Sequence, residues 1–294
     1  MTLMNRRRFL TIAAACAAVP AGAMSVETAT WRGQAMGAGT VMKLAGMSQS
    51  QAVPIFEMVE AELRRLEAIF SLYRESELVR VNRDGRLTAP SSELLEVLSL
   101  VDGLHRASGG VFDPTVQPMW LAHAEQRDVR AVRAAVGWDR VGFDAAQVVL
   151  DGDGMALTLN GVAQGYVTDK ITALLRAQGL RDVLMDMGEV AALGQRADGA
   201  AWDVGIADPD GRVLQRLQMR DRALATSAVR GTVLGGRAHI LHPDGKAAEQ
   251  ALVSVSAPRA VVADGLSTAL CLMSKTDGAA MVAQYSGARV EAML

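Results

Sequence analysis

At 294 residues, half of them hydrophobic, the chain is long enough to bury a substantial core. Its 30 Lys and Arg are nearly balanced by 32 Asp and Glu, so it lacks the basic field that a phosphate backbone demands, and nucleic-acid binding is excluded as a function. Two cysteines and four histidines provide neither a disulfide framework nor a Cys/His zinc site. Residues 1–23 combine Arg6, Arg7 and Arg8 with a short, weakly apolar run that ends Ala21-Gly22-Ala23. That pattern reads as a cleaved export signal, and the arginine pair before Phe9-Leu10 is of the twin-arginine type, which implies a periplasmic protein spanning residues 24–294. The alternatives are an ordinary Sec signal and lipid attachment through Cys16, the latter weakened because Ala13 stands where a leucine is usual. Loss of the three arginines makes the mature chain distinctly acidic.

Apolar residues at Val53, Phe56, Val59, Leu63, Leu66 and Phe70 recur every three or four positions and predict a helix over 51–70. A second helix is expected over 92–106, stopped by Ser108-Gly109-Gly110, and a short third one over 131–136. From 140 to 159 the pattern turns to short β-type runs, with Asp151-Gly152-Asp153-Gly154 as a hairpin turn. Helical spacing returns over 162–178, followed by strands at 183–187, 202–206, 213–219 and 251–256. A buried-looking helix over 260–273 and a strand at 289–293 complete the series. Helices mixed with hairpin-linked strands argue for an α+β fold, drawn as one domain after the signal.

Polar and glycine-rich clusters fall at the ends of these elements, where sites tend to lie. They are Met36-Gly37-Ala38-Gly39-Thr40, the run from Ser71 to Leu78, the stretch from Gly109 to Pro118, Asn160 to Tyr166, Asp186-Met187-Gly188, Ala225-Thr226-Ser227 and His239 to Gly245. Taken singly, each is explained by a turn or a helix stop. Asp264 is different. It interrupts an otherwise apolar helix, with Thr268 one turn later on the same face, and an oxygen-donor pair at that spacing suits a hard cation such as Mg²⁺; the alternative is a carboxylate capped by local backbone donors.

Taken together and in this order, GGVFDPTVQP at 109–118, S-x-Y-x-x-x-S-E-L from Ser71, G-V-A-Q-G-Y at 161–166 and APRAVVADGLSTAL at 257–270 resemble the ApbE family of FAD:protein FMN transferases. The resemblance implies an ApbE-like fold, mixed or antiparallel sheets with helices packed around one flavin-binding cleft. It also implies an enzyme that takes FAD and Mg²⁺, forms a phosphoester between FMN and a threonine hydroxyl of a client flavoprotein, and releases AMP. By the same resemblance, Met36, Tyr73, Val111, Phe112, Asp113, Thr158, Gln164 and Leu241 surround the flavin nucleotide. Gly161, Asp264 and Thr268 hold the metal, and His239 assists deprotonation of the acceptor threonine. With so few rings in the chain, Tyr73 and Phe112 are the aromatics expected beside the flavin. His105 and His123 have no motif context and read as structural.

The sequence departs from the family pattern at several places. Thr158, Asn160 and Gln164 replace an Asp, a Gly and a Lys at the helix start, and Asp186-Met187-Gly188-Glu189 replaces N-x-G-G. Ala228 stands for a Gly, and His242 for the Asp of the histidine loop. These changes touch nucleotide contacts more than the metal pair. Together with the signal, they make the chain similar to the NosX-type branch, whose expected client is a membrane-bound NosR-type protein of nitrous-oxide respiration. Two other activities use the same cleft: FAD pyrophosphatase, with water as nucleophile, and non-catalytic flavin carriage.

Overall fold

A computed structural model describes residues 27–234 and 236–294; the signal segment and Cys16 lie outside them. In chain order the strands and α-helices are β1 (Thr28–Ala35), β2 (Ala38–Ala45), α1 (Gln49–Phe70), α2 (Glu77–Asp84), β3 (Arg86–Thr88), α3 (Ser92–Ala107), α4 (Gln117–Ala124), β4 (Val141–Phe143), β5 (Gln147–Leu150), α5 (Ala163–Ala177), β6 (Val183–Asp186) and β7 (Val190–Leu193). There follow β8 (Trp202–Ala207), β9 (Val213–Met219), β10 (Arg222–Ala228), β11 (Val233–Leu234), β12 (Arg237–Ala238), β13 (Leu252–Ala257), α6 (Ala260–Leu270), α7 (Lys275–Val282) and β14 (Arg289–Met293). The fold is α+β, as the sequence implies.

Its centre is a seven-stranded sheet in the order β1-β2-β6-β7-β10-β13-β14, with every neighbouring pair antiparallel. Alternation along β6 explains why both faces of the sheet are covered. Val183 and Met185 enter the core that the helices form, whereas Leu184 joins Trp202, Val204, Ile206 and Met219 beneath the β8–β9 ribbon. On the helical side, α1 buries Phe56, Val59, Leu63, Leu66 and Phe70 on one stripe, and a capping box between Ser48 and Gln51 fixes its start. Tyr166 of α5 lies edge-on to Phe70, their ring centroids 5.4 Å apart, and its hydroxyl donates to Glu96.

Helices α5 and α6 pack antiparallel and each caps the other. The carboxylate of Asp169, in α5, accepts from the backbone N–H groups of Ala260 (2.7 Å) and Val261 (3.3 Å) in the first turn of α6. In return, Asp264 of α6 accepts from the N–H of Gly165 in the first turn of α5, at 2.9 Å. Each carboxylate satisfies amides that have no partner within their own helix and sits at the positive end of a helix dipole. Gly165 permits the approach: a Cβ there would stand 2.6 Å from the carbonyl oxygen of Ala260, while one at Gly265 would stand 2.4 Å from Leu104, where α6 meets α3. The obstacle at Gly165 is rigid backbone, so Gly165→Ala is expected to destabilise the protein by about 1–3 kcal/mol. The check is a denaturant melt, in which an unchanged midpoint would contradict the packing described.

The sequence reading needs correction in the middle of the chain. Asp151 to Gly154 does not close a hairpin. The turn between β4 and β5 lies at 144–146, where Asp144 accepts from the amides of Ala146 and Gln147, and 151–154 leads away from β5 into a segment without regular structure. The expected third helix is a 3₁₀ segment, Val129–Ala135. Strands β1, β2 and β7 and helices α2, α4 and α7 lie outside the elements predicted from the sequence, which give β10 only its end, at Ala225-Thr226-Ser227.

Candidate functional site

The motifs lie far apart in the chain, but a continuous set of contacts joins them. Its anchor is α6, where Asp264 is 3 % exposed and Thr268 is half-buried one turn on. The Thr268 hydroxyl is 3.2 Å from Ser227 Oγ of β10, which in turn is 2.8 Å from Ser267 Oγ. Gly161, just before α5, fits between two of the expected site residues. A Cβ there would meet the Thr268 side chain at 3.0 Å and the Phe112 ring at 3.1 Å, so no larger residue fits without displacement. Phe112, Gly161, Thr268 and Asp264 are therefore brought together.

The loop carrying Val111, Phe112 and Asp113 is held from within. Ser108 Oγ accepts from Phe112 N at 2.9 Å, and His105 Nδ1 lies 2.9 Å from the Phe112 carbonyl, which gives His105 the structural role expected of it. Asp113 accepts from the amide of Thr115 at 2.8 Å, while Val111 is half-buried. Thr158 donates its backbone N–H to the Pro114 carbonyl at 2.8 Å, so the departure at 158 lies directly against this loop. Asn82 clamps Leu157 through both backbone groups, which ties the segment after α1 to the same region.

Met36 sits in the two-residue turn between β1 and β2, with φ of 51°, followed by Gly37 at 83°. Positive φ at a non-glycine residue is sparsely populated, and here the turn closes a hairpin of matching twist. The amide of Met36 donates to Glu67, whose other oxygen meets Arg74, so the Met36 turn and the Tyr73 loop are tied to one carboxylate. Tyr73 presents an exposed ring at 53 %.

His239 stands beyond β10. Its Nδ1 lies 3.2 Å from the Val229 carbonyl and 3.1 Å from the Thr232 carbonyl, and 3.4 Å from the Thr232 amide nitrogen; the two shorter carbonyl contacts, against one longer N–H contact, favour the proton on Nδ1, which leaves Nε2 as the basic nitrogen. Burial lowers its pKa below the ordinary histidine value. Val229 is two residues beyond Ser227, so His239 is anchored at the end of β10 that meets Thr268. Leu241 is half-buried in the same loop, and His242 is buried with Nδ1 accepting from Asp244 N at 3.0 Å.

Sequence reasoning missed one member of this region. Glu189, in the β6–β7 turn, is 6 % exposed, and its Oε2 has no hydrogen-bond partner. The turn depends on Gly188, at φ of 92°, where a Cβ would lie 2.5 Å from the side-chain amide of Gln164. Burial drives the pKa of Glu189 well above the carboxylate range, and the charges of Asp264 and Asp186 add to it. The signal was visible as an acidic residue in place of glycine, but nothing in the sequence gave its burial.

Burial also raises Asp264, to about 7 from 3.8, with the Gly165 bond opposing and Asp169 adding. A folded-state pKa above the unfolded value means that the native state binds the proton more tightly, so the group penalises folding as pH rises from about 4 to about 7. In EDTA, the thermal midpoint of wild type is expected to fall relative to Asp264→Asn over that interval. Parallel curves would refute the shift.

What the site offers chemically is a carboxylate, hydroxyls and closely approached backbone, which is the donor chemistry of a hard divalent cation. Among the described residues no three His, Cys, Asp or Glu converge as ligands, so such a cation would draw on hydroxyl and backbone oxygen as well.

The fold is that of flavin transferases of known structure. The flavin transferase ApbE of Vibrio cholerae superposes with a TM-score of 0.79 at 23 % identity, covering 90 % of this chain and 92 % of that one. The ApbE protein of Thermotoga maritima gives 0.77 at 22 %, covering 90 % and 93 %. The chain belongs to the ApbE family, whose model matches residues 36–294. Among its relatives, the FAD:protein FMN transferase of Treponema pallidum is 31 % identical over 273 residues, 76 % of this chain and 75 % of that one. The Vibrio cholerae enzyme of the same name is 27 % identical over 248 residues, 76 % and 74 %.

Proposed function

We propose that this chain transfers FMN from FAD to a threonine hydroxyl of a client flavoprotein, with AMP as the other product. The observation that carries the reading is the contact set Phe112–Gly161–Thr268 beside Asp264, drawn from three separate motifs in a chain of this family. In the reaction the acceptor oxygen forms a bond to the FMN phosphorus, the bond from that phosphorus to the bridging oxygen breaks, and the acceptor proton leaves. Asp264, Thr268 and the backbone at Gly161 would hold Mg²⁺, with the hydroxyls of this region as further oxygen donors. When bound, Mg²⁺ neutralises charge that builds on the pyrophosphate. His239 Nε2 receives the acceptor proton, and its Nδ1 bonds hold the ring in that tautomer. Phe112, Val111, Met36, Tyr73, Asp113, Thr158, Gln164 and Leu241 position the nucleotide.

The departures at 158, 164 and 186–189, together with the 1–23 signal, support a periplasmic member of the NosX-type branch with a NosR-type client. Incubation of the protein with FAD, Mg²⁺ and a client domain bearing an acceptor threonine tests the activity. A covalent FMN mass gain on the client is expected. FMN and AMP without that gain would mean FAD hydrolysis, and intact FAD would mean a carrier.

A further inference from the structure

We propose that Glu189 is a second carboxylate ligand of the cation site, so that the protein holds a divalent cation before any nucleotide arrives. The inference rests on the reading of Asp264 and Thr268 as metal ligands. Four observations carry it. Glu189 is more than nine-tenths buried, and among the described residues its Oε2 has no hydrogen-bond partner. A buried oxygen left in that state calls for a water or an ion. Its neighbours belong to the site: the Thr226 amide, which bonds to the carboxylate, is one residue before Ser227, whose hydroxyl meets Thr268, and Gln164, which lies over Gly188, is one residue before Gly165, whose amide bonds to Asp264. Finally, the turn is shaped to place it there, because Gly188 at φ 92° lets the Gln164 amide cover the backbone and leaves Glu189 to face inward.

Glu189 and Asp264 are both buried, and two carboxylates buried in one region have lost their water and repel each other. A hard cation between them relieves both costs, and its affinity rises with the number of charged oxygens it meets. A structural glutamate in a two-strand turn would instead direct its charge to solvent or to a basic partner. Neither is found for Glu189.

The test is Mn²⁺ titration of EDTA-stripped, nucleotide-free protein, read by the paramagnetic resonance signal of free Mn²⁺ and by thermal melting. Wild type should take up Mn²⁺ and melt higher with it. Glu189→Gln should bind about tenfold or more weakly. In EDTA the same variant should melt above wild type, since it lacks the repelling charge, and Mn²⁺ should raise its midpoint less. If the glutamine variant does not fold, Glu189→Ala serves in its place. Equal Mn²⁺ affinity in wild type and variant would overturn the proposal and assign the orphan oxygen to a buried water. Wild type that takes up no Mn²⁺ without nucleotide would also overturn it, and the reading of Asp264 would then be judged separately by the Mg²⁺ dependence of flavin transfer.

Discussion

Asp264→Asn is expected to abolish Mg²⁺-dependent flavin transfer while the protein stays folded. Asparagine keeps an oxygen that can accept from Gly165 N, so the α5 cap survives. What it removes is the charge. A metal that absorbs developing charge is worth several kcal/mol in the transition state, so the rate should fall by roughly three orders of magnitude. The neutral side chain also ends the cost of a buried carboxylate, so the variant should melt at or above wild type at neutral pH in EDTA. Asp264→Ala should behave differently. It leaves the Gly165 amide unsatisfied inside the core and adds a stability loss of about 1–3 kcal/mol to the loss of activity. Mass spectrometry of the client and circular-dichroism melts separate the two effects. Full transfer by Asp264→Asn would remove the carboxylate from the mechanism.

Replacement of His239 should reduce transfer by about 10²–10⁴-fold if its Nε2 receives the acceptor proton. A loop anchor could produce a loss too, because Nδ1 holds the carbonyls of Val229 and Thr232. The pH profile distinguishes them. The active form is the neutral imidazole, and burial pulls its pKa below 6.5, so wild-type transfer should hold steady through neutral pH and decline only on the acid side of that value. His239→Ala should lose that acid limb along with the rate. A variant that is slow but retains the limb would assign His239 to the loop alone.

How much was legible in the sequence follows from which interactions are local. Helices α1, α3, α5 and α6 announce themselves by periodicity, because each buries a stripe on a shared core. Asp264 stood out for the same reason in reverse, as a charge in an apolar helix. Strand β10 reads RALATSA and carries no run of β-branched or aromatic residues; it is a strand because β7 and β13 flank it. The turn at Met36 puts a non-glycine residue at positive φ, which the hairpin register enforces and local preference does not suggest. Asp169 lies 91 residues from the amide it caps, so no window along the chain could pair them. Glu189 fell between these cases. The departure from glycine was plain, but its meaning required the fold to show that the side chain turns inward.

The reciprocal capping of α5 and α6 bears on how relatives of this chain should be read. The aspartate proposed to hold the metal also caps the start of the neighbouring helix, so selection for folding alone is enough to keep an acceptor at position 264. A descendant that abandoned flavin transfer would be under pressure to retain a residue there. The change that marks such a lineage is Asp to Asn, which spares the helix and silences the charge. An aspartate at this position is therefore necessary for the proposed chemistry but is poor proof of it, and the independent witnesses are Thr268, Gly161 and His239, which the helix pair does not need as caps.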